Sequence, residues 1–326
     1  MQHKNIKKYI IFSLRTALLA LLLVALPAMS LSACVREPAE AQDDRPVIVC
    51  TSFAAYDWVQ NILGARAGDW QLTRINDKGA DMHSYQPSAQ DIAAITDCDL
   101  LVYTGGHSEE WLLELTGSES GFSGRVYSLM AAETAPGHDH DHHEGEVCEL
   151  DEHIWLSPQN ALDYCRELAE VIAAIDPEHG REYRDNAANY LEKLKALDEE
   201  YRQVIASCPG DCLIFADRFP FIYLVEDYGL SYYAAFPGCS AETEASFATI
   251  IELADKLNEL ESDALIITEH SSDDIARATI NAAGRDDVAV YEMNSLQSVS
   301  QKDVAGGLTY LGAMEENLRV IAKALN

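Results

Sequence analysis

The sequence predicts an α/β fold of two lobes, each a mostly parallel sheet flanked by helices, joined by one long rigid helix. Short apolar, β-prone runs alternate with segments whose apolar residues recur at helical spacing, which is typical of parallel sheets. This alternation occurs twice, before and after a stretch with the pattern of a single long helix. Because ligands of open α/β sheets bind beyond the carboxyl ends of the strands, we expect a ligand cleft between the lobes.

The chain begins with the pattern of a bacterial lipoprotein signal peptide over residues 1–33. A basic stretch precedes an apolar run over 16–27 that is too short to span a bilayer comfortably as a mature helix. The sequence Leu-Ser-Ala-Cys ends at Cys34, so we expect cleavage there and lipidation of the thiol. An ordinary secretory signal with a coincidental cysteine is the alternative. We expect residues 34–45 to form a flexible tether, and the lipid to hold the protein on the extracytoplasmic side of the membrane.

The N-terminal lobe is predicted to span 46–177. Its strands are predicted at 47–51, 71–75, 99–103 and 125–129, and its helices at 56–63, 87–95, 111–115 and 158–175. In the run DLLVY over 99–103, the residues after Asp99 are continuously apolar and end before Gly105-Gly106, as in a strand buried on both faces. Pro87 and Ser88 are residue types that start helices.

Residues 178–206 are predicted to form the helix that joins the lobes. Beyond Gly180 the stretch contains no glycine or proline. Its larger apolar residues recur every three, four or seven positions: Tyr183, Tyr190, Leu194, Leu197, Tyr201 and Ile205. At 1.5 Å per residue, about 25 residues reach nearly 40 Å, longer than one small domain needs.

The C-terminal lobe, 207–326, repeats the alternation. Its strands are predicted at 212–216, 231–236, 264–268 and 288–291, and its helices at 219–228, 245–260, 275–283 and 304–325. Its cysteines leave the redox state open, because Cys208 and Cys212 could close a small disulfide loop but spacing does not determine pairing.

Charge restricts the partners of the protein. The formal net charge is −31, and nucleic acid is therefore not expected as a partner, because phosphate binding needs a basic surface. An acidic surface concentrates cations without selecting among them.

Histidines concentrate in a loop predicted over 136–150. His138, His140, His142 and His143 alternate there with acidic residues, and a tract this polar cannot bury itself. We expect an exposed loop that binds metal as an auxiliary site. His153 directly precedes the apolar Ile154-Trp155-Leu156 and should instead lie at the edge of a packed lobe.

His83 and His153 are the candidate ligands of a fixed metal site. His83 lies in DMHSYQPS after the second predicted strand, and His153 lies in DEHIWLSP, also between predicted elements. Neutral imidazole suits zinc, and also manganese or iron where carboxylates complete the shell. A single histidine of this kind is more often structural, so the prediction depends on the two occurring together in an exported, acidic chain.

The motifs HSYQPSAQD, CDLLVYTGG, DEHIWLSPQNA, EDYGL and LTYLGAMEENL, with the lipoprotein signal and the histidine loop, resemble the zinc/manganese-type substrate-binding lipoproteins of bacterial ABC importers. The resemblance extends over roughly 47–325. It implies a monomer that carries a divalent metal between its lobes, Zn²⁺ first with Mn²⁺ or Fe²⁺ as alternatives, and delivers it to a membrane permease and its ATPase. The family's first two ligands fall on His83 and His153.

The other two family ligand positions do not match. The third falls on Arg218, which stays protonated and offers no lone pair, and the fourth falls on Asn294, which has a carbonyl oxygen but no charge. Glu269, directly after ALIIT, matches a glutamate that the family often has near the cleft. We expect it to be a ligand, with pairing to Arg218 as the alternative.

Three more residues could replace the missing ligands. Asp217 could turn inward, although an ion pair with Arg218 is the competing expectation. His270 could point either way, and Cys239 is expected to be a buried, inert thiol. Three aromatic residues are expected to be packing residues rather than cleft residues: Tyr85, Tyr103 and Trp155.

Two other function classes stay open at this point. A His/His/carboxylate site with an open water position could belong to a metal-dependent hydrolase. The chain could also be a surface adhesin or a protein that stores zinc on its loop. Because the sequence contains no HExxH motif, nucleophile elbow or phosphate-binding loop, we do not expect an enzyme.

Overall fold

Two parallel four-stranded sheets organise the structure, a computed structural model that describes residues 43–117, 120–133, 151–238 and 245–326. The first sheet has the order β2-β1-β3-β4, with β1 at Val47–Cys50, β2 at Gln71–Arg74, β3 at Leu100–Tyr103 and β4 at Arg125–Ser128. The second has the order β6-β5-β7-β8, with β5 at Cys212–Phe219, β6 at Ser231–Pro237, β7 at Ala264–Thr268 and β8 at Ala289–Met293. The predicted α/β class is confirmed.

Helices connect and cover the strands. Those around the first sheet are α1 (Phe53–Leu63), α2 (Ala89–Thr96), α3 (Leu112–Thr116), α4 (Leu129–Glu133) and α5 (Pro158–Ile175). Those of the second half are α6 (Gly180–Ser207), α7 (Ile222–Tyr228), α8 (Phe247–Glu259), α9 (Asp274–Ala283), α10 (Gln301–Ala305) and α11 (Tyr310–Ala324). Local chemistry explains the starts: Ser88 and Asp91 form a capping box at α2, and the Ser157 side chain caps α5 before Pro158.

The long helix α6 contacts both halves of the molecule over its 28 residues. Near its start, Trp70 Nε1 donates to the hydroxyl of Tyr183 at 3.0 Å. Near its end, the hydroxyl of Tyr201 donates to the carbonyl oxygen of Met314 in α11 at 2.6 Å. The predicted helix is therefore present, and its apolar stripe packs against elements of both lobes.

One continuous apolar core joins the two sheets. Trp58 of α1 packs against Tyr164 of α5 and Tyr310 of α11, with ring centroids 5.8 and 5.1 Å apart. The same cluster includes Phe215 of β5. Arg45–Asn326 accordingly form one compact unit, and the lobe boundaries at 177/178 and 206/207 stay a prediction.

Two sequence-based predictions in the C-terminal half are wrong in detail. The closing helix expected over 304–325 is two helices, because the Gly306-Gly307 pair breaks it; Gly307 has φ +96° and Thr309 caps α11. The helix expected from Phe219 begins later, because β5 continues through Phe219 and Pro220 follows it.

The described residues also answer two smaller questions. Cys208 and Cys212 are both free thiols, so the disulfide loop considered from their spacing is not formed. Among the described helices, none is both long and apolar enough to cross a membrane. The signal peptide, Cys34 and the loop histidines His138, His140, His142 and His143 lie outside the described residues.

Candidate metal centre

Each candidate histidine lies in a short turn that is held by an aspartate two positions earlier. The N–H of His83 donates to Asp81 Oδ1 at 3.0 Å, and the N–H of His153 donates to Asp151 Oδ1 at 2.8 Å. His83 lies in the 3₁₀ turn Met82–Ser84 after β2, and His153 precedes the 3₁₀ turn Ile154–Leu156. This repeated Asp-x-His arrangement fixes the backbone of both histidines.

The two imidazoles face each other. His83 Nε2 and His153 Nε2 are 3.2 Å apart. Two nitrogens that each lie 2.0–2.1 Å from one tetrahedral zinc ion are about 3.4 Å apart, so the observed separation is close to that of a zinc-binding pair. The structure therefore brings together, in an arrangement suited to a metal, the two histidines that the sequence singles out.

The outer nitrogen of His153 is held by a carboxylate. His153 Nδ1 lies 2.7 Å from Asp151 Oδ1, and since an ionised carboxylate only accepts, Nδ1 carries the proton. Nε2 then presents its lone pair toward His83. The His153 side chain is fully buried, with its ring centroid 5.4 Å from that of Trp155.

The outer nitrogen of His83 lies close to Ser108 and to Glu152, and one carboxylate oxygen of Glu152 has no hydrogen-bond partner. His83 Nδ1 lies 2.7 Å from Ser108 Oγ and 3.7 Å from Glu152 Oε2. Glu152 Oε1 accepts from the N–H of Ser108 at 2.9 Å, whereas Oε2 is buried without a hydrogen-bond partner. An acceptor in this position favours the tautomer with the proton on Nδ1, which leaves Nε2 free for a metal.

His83 and His153 both border a cavity of about 20 Å³. That volume accommodates roughly one water molecule, and hence one small ion. Its walls include Asp81, His83, His153, Arg218, Glu269 and Ser295. Burial, followed by repulsion from His153, lowers the pKa of His83, so its imidazole stays neutral to lower pH than a free one.

Glu269, the predicted carboxylate ligand, borders this cavity but is engaged with a serine. Its Oε1 accepts from Ser295 Oγ at 2.6 Å, and its Oε2 accepts from the N–H of Ser295 at 2.7 Å. Burial raises the pKa of Glu269. A carboxylate oxygen that accepts one hydrogen bond can still coordinate a metal, so Ser295 is placed as an outer support for such a ligand.

Arg218 and Asp217 make contacts other than those predicted. Arg218 Nη1 pairs with Asp81 Oδ2 at 3.0 Å, rather than with Glu269 or the Asp217 carboxylate. Asp217 Oδ2 accepts from the N–H and hydroxyl of Thr268 at 2.8 and 2.7 Å. Asp217 therefore ties β5 to β7 and does not turn toward the histidines.

The other candidates lie away from the cavity or outside the described residues. Asn294 Oδ1 accepts from the N–H of Leu296 at 2.8 Å and stabilises its own loop. His270 is exposed and borders a different cavity.

Trp155 is buried under His153, and its Nε1 donates to the Ser295 carbonyl at 2.9 Å. Tyr85 and Tyr103 pack against the apolar cluster on one face of the first sheet, and Cys239 lies outside the described residues.

Among the described residues, no third candidate ligand joins the two histidines. Within the part of the chain that the structure describes, no three His, Cys, Asp or Glu side chains are close enough to hold a metal together. Sequence reasoning also missed the supporting residues Asp81, Asp151, Ser108, Glu152 and Ser295. The repeated Asp-x-His spacing was a usable signal for the two aspartates, whereas the others follow only from the fold.

The family match and the similar proteins agree with one another. Residues 48–324 match the family described as zinc-uptake complex component A, periplasmic. Zinc-binding lipoprotein AdcA of Streptococcus pneumoniae is 30% identical over 311 residues, which are 93% of this chain and 60% of that protein. The high-affinity zinc uptake system protein ZnuA of Bacillus subtilis is 26% identical over 294 residues, 88% of this chain and 90% of that protein. The chain thus spans only about 60% of the length of the first of these relatives.

Solved structures show the same fold. The Zn(II)-bound ZnuA-like domain of Streptococcus pneumoniae AdcA superposes with a TM-score of 0.71 at 26% identity, over 86% of this chain and 99% of that domain. A mutant of the laminin-binding adhesin Lmb of Streptococcus agalactiae has a TM-score of 0.73 at 23% identity, over 86% and 99% of the two chains. At that identity the second likeness is evidence of fold only.

Proposed function

The chain belongs to the zinc-uptake complex component A family, and we propose that it is the extracytoplasmic substrate-binding component of an ABC importer for a divalent metal, most specifically zinc. The observation that carries the proposal is the pair of half-buried His83 and buried His153, with Nε2 atoms 3.2 Å apart at a cavity the size of one ion. Zinc is the cargo, and Mn²⁺ or Fe²⁺ are the alternatives that a shell richer in oxygen would favour.

The supporting residues explain how the cargo is held. Asp151 and the Ser108/Glu152 pair keep the protons on the outer nitrogens, so that both inner nitrogens offer lone pairs to one ion. Glu269 supplies a carboxylate from the second sheet. A metal held between groups of both sheets would connect the two walls, and a permease with its ATPase is the partner that would recognise this loaded form.

The similar proteins also bear on membrane anchoring and on the choice between a binding protein and an enzyme. We propose lipidation at Cys34, followed by a tether, because the relatives include proteins named as lipoproteins. AdcA and ZnuA are named as zinc-binding and zinc-uptake proteins, which favours a binding role over a metal-dependent hydrolase.

Zinc titration of the full chain against a chromophoric chelator tests the proposal. We expect one tight zinc per chain, lost when His83 and His153 are both replaced by alanine. Absence of a tight site in the wild-type protein contradicts the proposed function.

A further inference from the structure

We propose that Asp81 is a further ligand of the cargo metal, and that the guanidinium of Arg218 occupies its position until the metal arrives. The inference rests on the proposed function, because it concerns the same cavity. Asp81 and Arg218 border that cavity together with His83 and His153. The ion pair between them joins the turn after β2, in the first sheet, to β5 in the second.

Asp81 has a carboxylate oxygen that its own turn does not use. Oδ1 accepts the N–H of His83 at 3.0 Å, and Oδ2 faces Arg218 Nη1 at 3.0 Å. In the equivalent turn, Asp151 Oδ1 serves both the N–H and the Nδ1 of His153. Asp81 makes no such bond to the ring of His83, whose Nδ1 faces Ser108. Asp81 borders the same cavity as the two histidines, and a carboxylate oxygen is a donor that zinc accepts once Arg218 has left it.

Arg218 places a positive charge of the protein itself on the Asp81 carboxylate. A guanidinium cannot lose its proton under ordinary conditions, and it pairs with a carboxylate much as a metal ion would. A dication and a guanidinium repel each other in a cavity of about 20 Å³, so only one of them can hold Asp81 Oδ2. Metal entry therefore displaces Arg218 from Asp81.

The Arg218 side chain has space to move into. Its side chain is 34% exposed. It also borders a second cavity of about 650 Å³, whose wall includes Asp274. Rotation of the side chain from one cavity to the other frees Asp81 without unpacking the apolar core. Arg218 then lowers the affinity for metal, and a dication displaces it more readily than a monovalent ion does.

Substitution of Arg218 gives opposite results for this role and for a purely structural one. In a zinc competition titration of the full chain, Arg218→Gln should bind zinc at least roughly tenfold more tightly than wild type, because the competing charge is gone. Asp81→Asn in the Arg218→Gln background should cancel that gain, since asparagine keeps the oxygen that accepts the His83 N–H but loses the charge. X-ray absorption should then count one oxygen ligand fewer.

Arg184→Gln is the matched control, because Arg184 forms a two-bond ion pair with Glu170 at the surface, and it should leave zinc affinity unchanged. Arg218→Met is a second charge-removing variant, checked for folding by thermal denaturation. If both Arg218 variants fold and bind zinc no more tightly than wild type, the arginine is only a bridge between the sheets and the inference is wrong. That result leaves the proposed function intact, whereas a wild-type protein without tight zinc overturns both.

Discussion

The two Asp-x-His turns of the cavity have the same backbone design and different charge partners. In the Asp151 turn, the carboxylate fixes both the backbone and the ring of His153. In the Asp81 turn, the carboxylate fixes the backbone of His83 but extends its second oxygen to Arg218. The comparison shows that the same Asp-x-His motif directs its carboxylate to its own histidine in one turn, and divides it between its histidine and a cation of the opposite wall in the other.

The largest effect should come from removing both imidazoles. In the His83→Ala/His153→Ala protein, zinc affinity should fall by far more than the roughly 10–100-fold that is typical of outer-shell changes. His107→Ala is the control, because the His107 side chain is 85% exposed and lies outside the cavity walls. Competition titration measures the effect, and a double variant that keeps its tight zinc contradicts the shared histidine site.

The next effect tests the Asp151 turn. Asp151→Asn removes the charge that holds the proton on His153 Nδ1, so zinc affinity should fall roughly 10–100-fold. Asp176→Asn is a matched control, because Asp176 contacts His179 Nδ1 at 2.8 Å at the start of α6, away from the cavity. Equal affinities for these two variants would mean that the Asp151 carboxylate does not orient a ligand.

Glu269→Gln tests the opposite wall. If the carboxylate coordinates the metal while Ser295 supports it, the variant should bind zinc roughly tenfold or more weakly at neutral pH. Ser295→Ala should give a smaller loss in the same titration, since it removes only one hydrogen bond to the ligand. A Glu269→Gln protein with wild-type affinity would place the oxygen ligands entirely on the Asp81 side.

A smaller effect concerns pH, because burial shifts the pKa values of His83 and Glu269, on the two walls, in opposite directions. Metal binds only the deprotonated groups, so zinc affinity should fall as the pH drops below about 6. Burial lowers the pKa of His83, which delays its protonation, and raises the pKa of Glu269, which advances it. Titration between pH 8 and 5 should therefore show a shallower loss for Glu269→Gln than for wild type. Unchanged wild-type affinity at pH 5 would contradict histidine ligation.

The smallest effect is expected for the histidine loop. Deletion of residues 137–143 should leave the tight site unchanged and should remove only weaker, additional zinc. The reason is that the deleted histidines are separate in sequence from His83 and His153, which border the cavity. Equilibrium dialysis at two zinc concentrations separates the two classes of site. Loss of the tight zinc on deletion would move the main site to the loop.

Much of the fold was predictable because its signals are local. The apolar run ALIIT and the helix over 158–175 occur where the sequence places them, and the two histidines converge as expected. The site walls were less predictable, because the partner of Arg218 is Asp81, which is 137 positions away in sequence. Spacing within one segment contains no information on which carboxylate a long side chain meets across a cavity.

Anomalous diffraction across the zinc absorption edge, from crystals of the zinc-loaded protein, would locate the cargo metal and identify its ligands. We expect one strong zinc peak in the cavity, about 2.0–2.1 Å from both His83 Nε2 and His153 Nε2. A carboxylate oxygen of Asp81 should lie in the same shell, with Arg218 turned away. A peak outside this cavity, with the two imidazoles unliganded, would contradict the account.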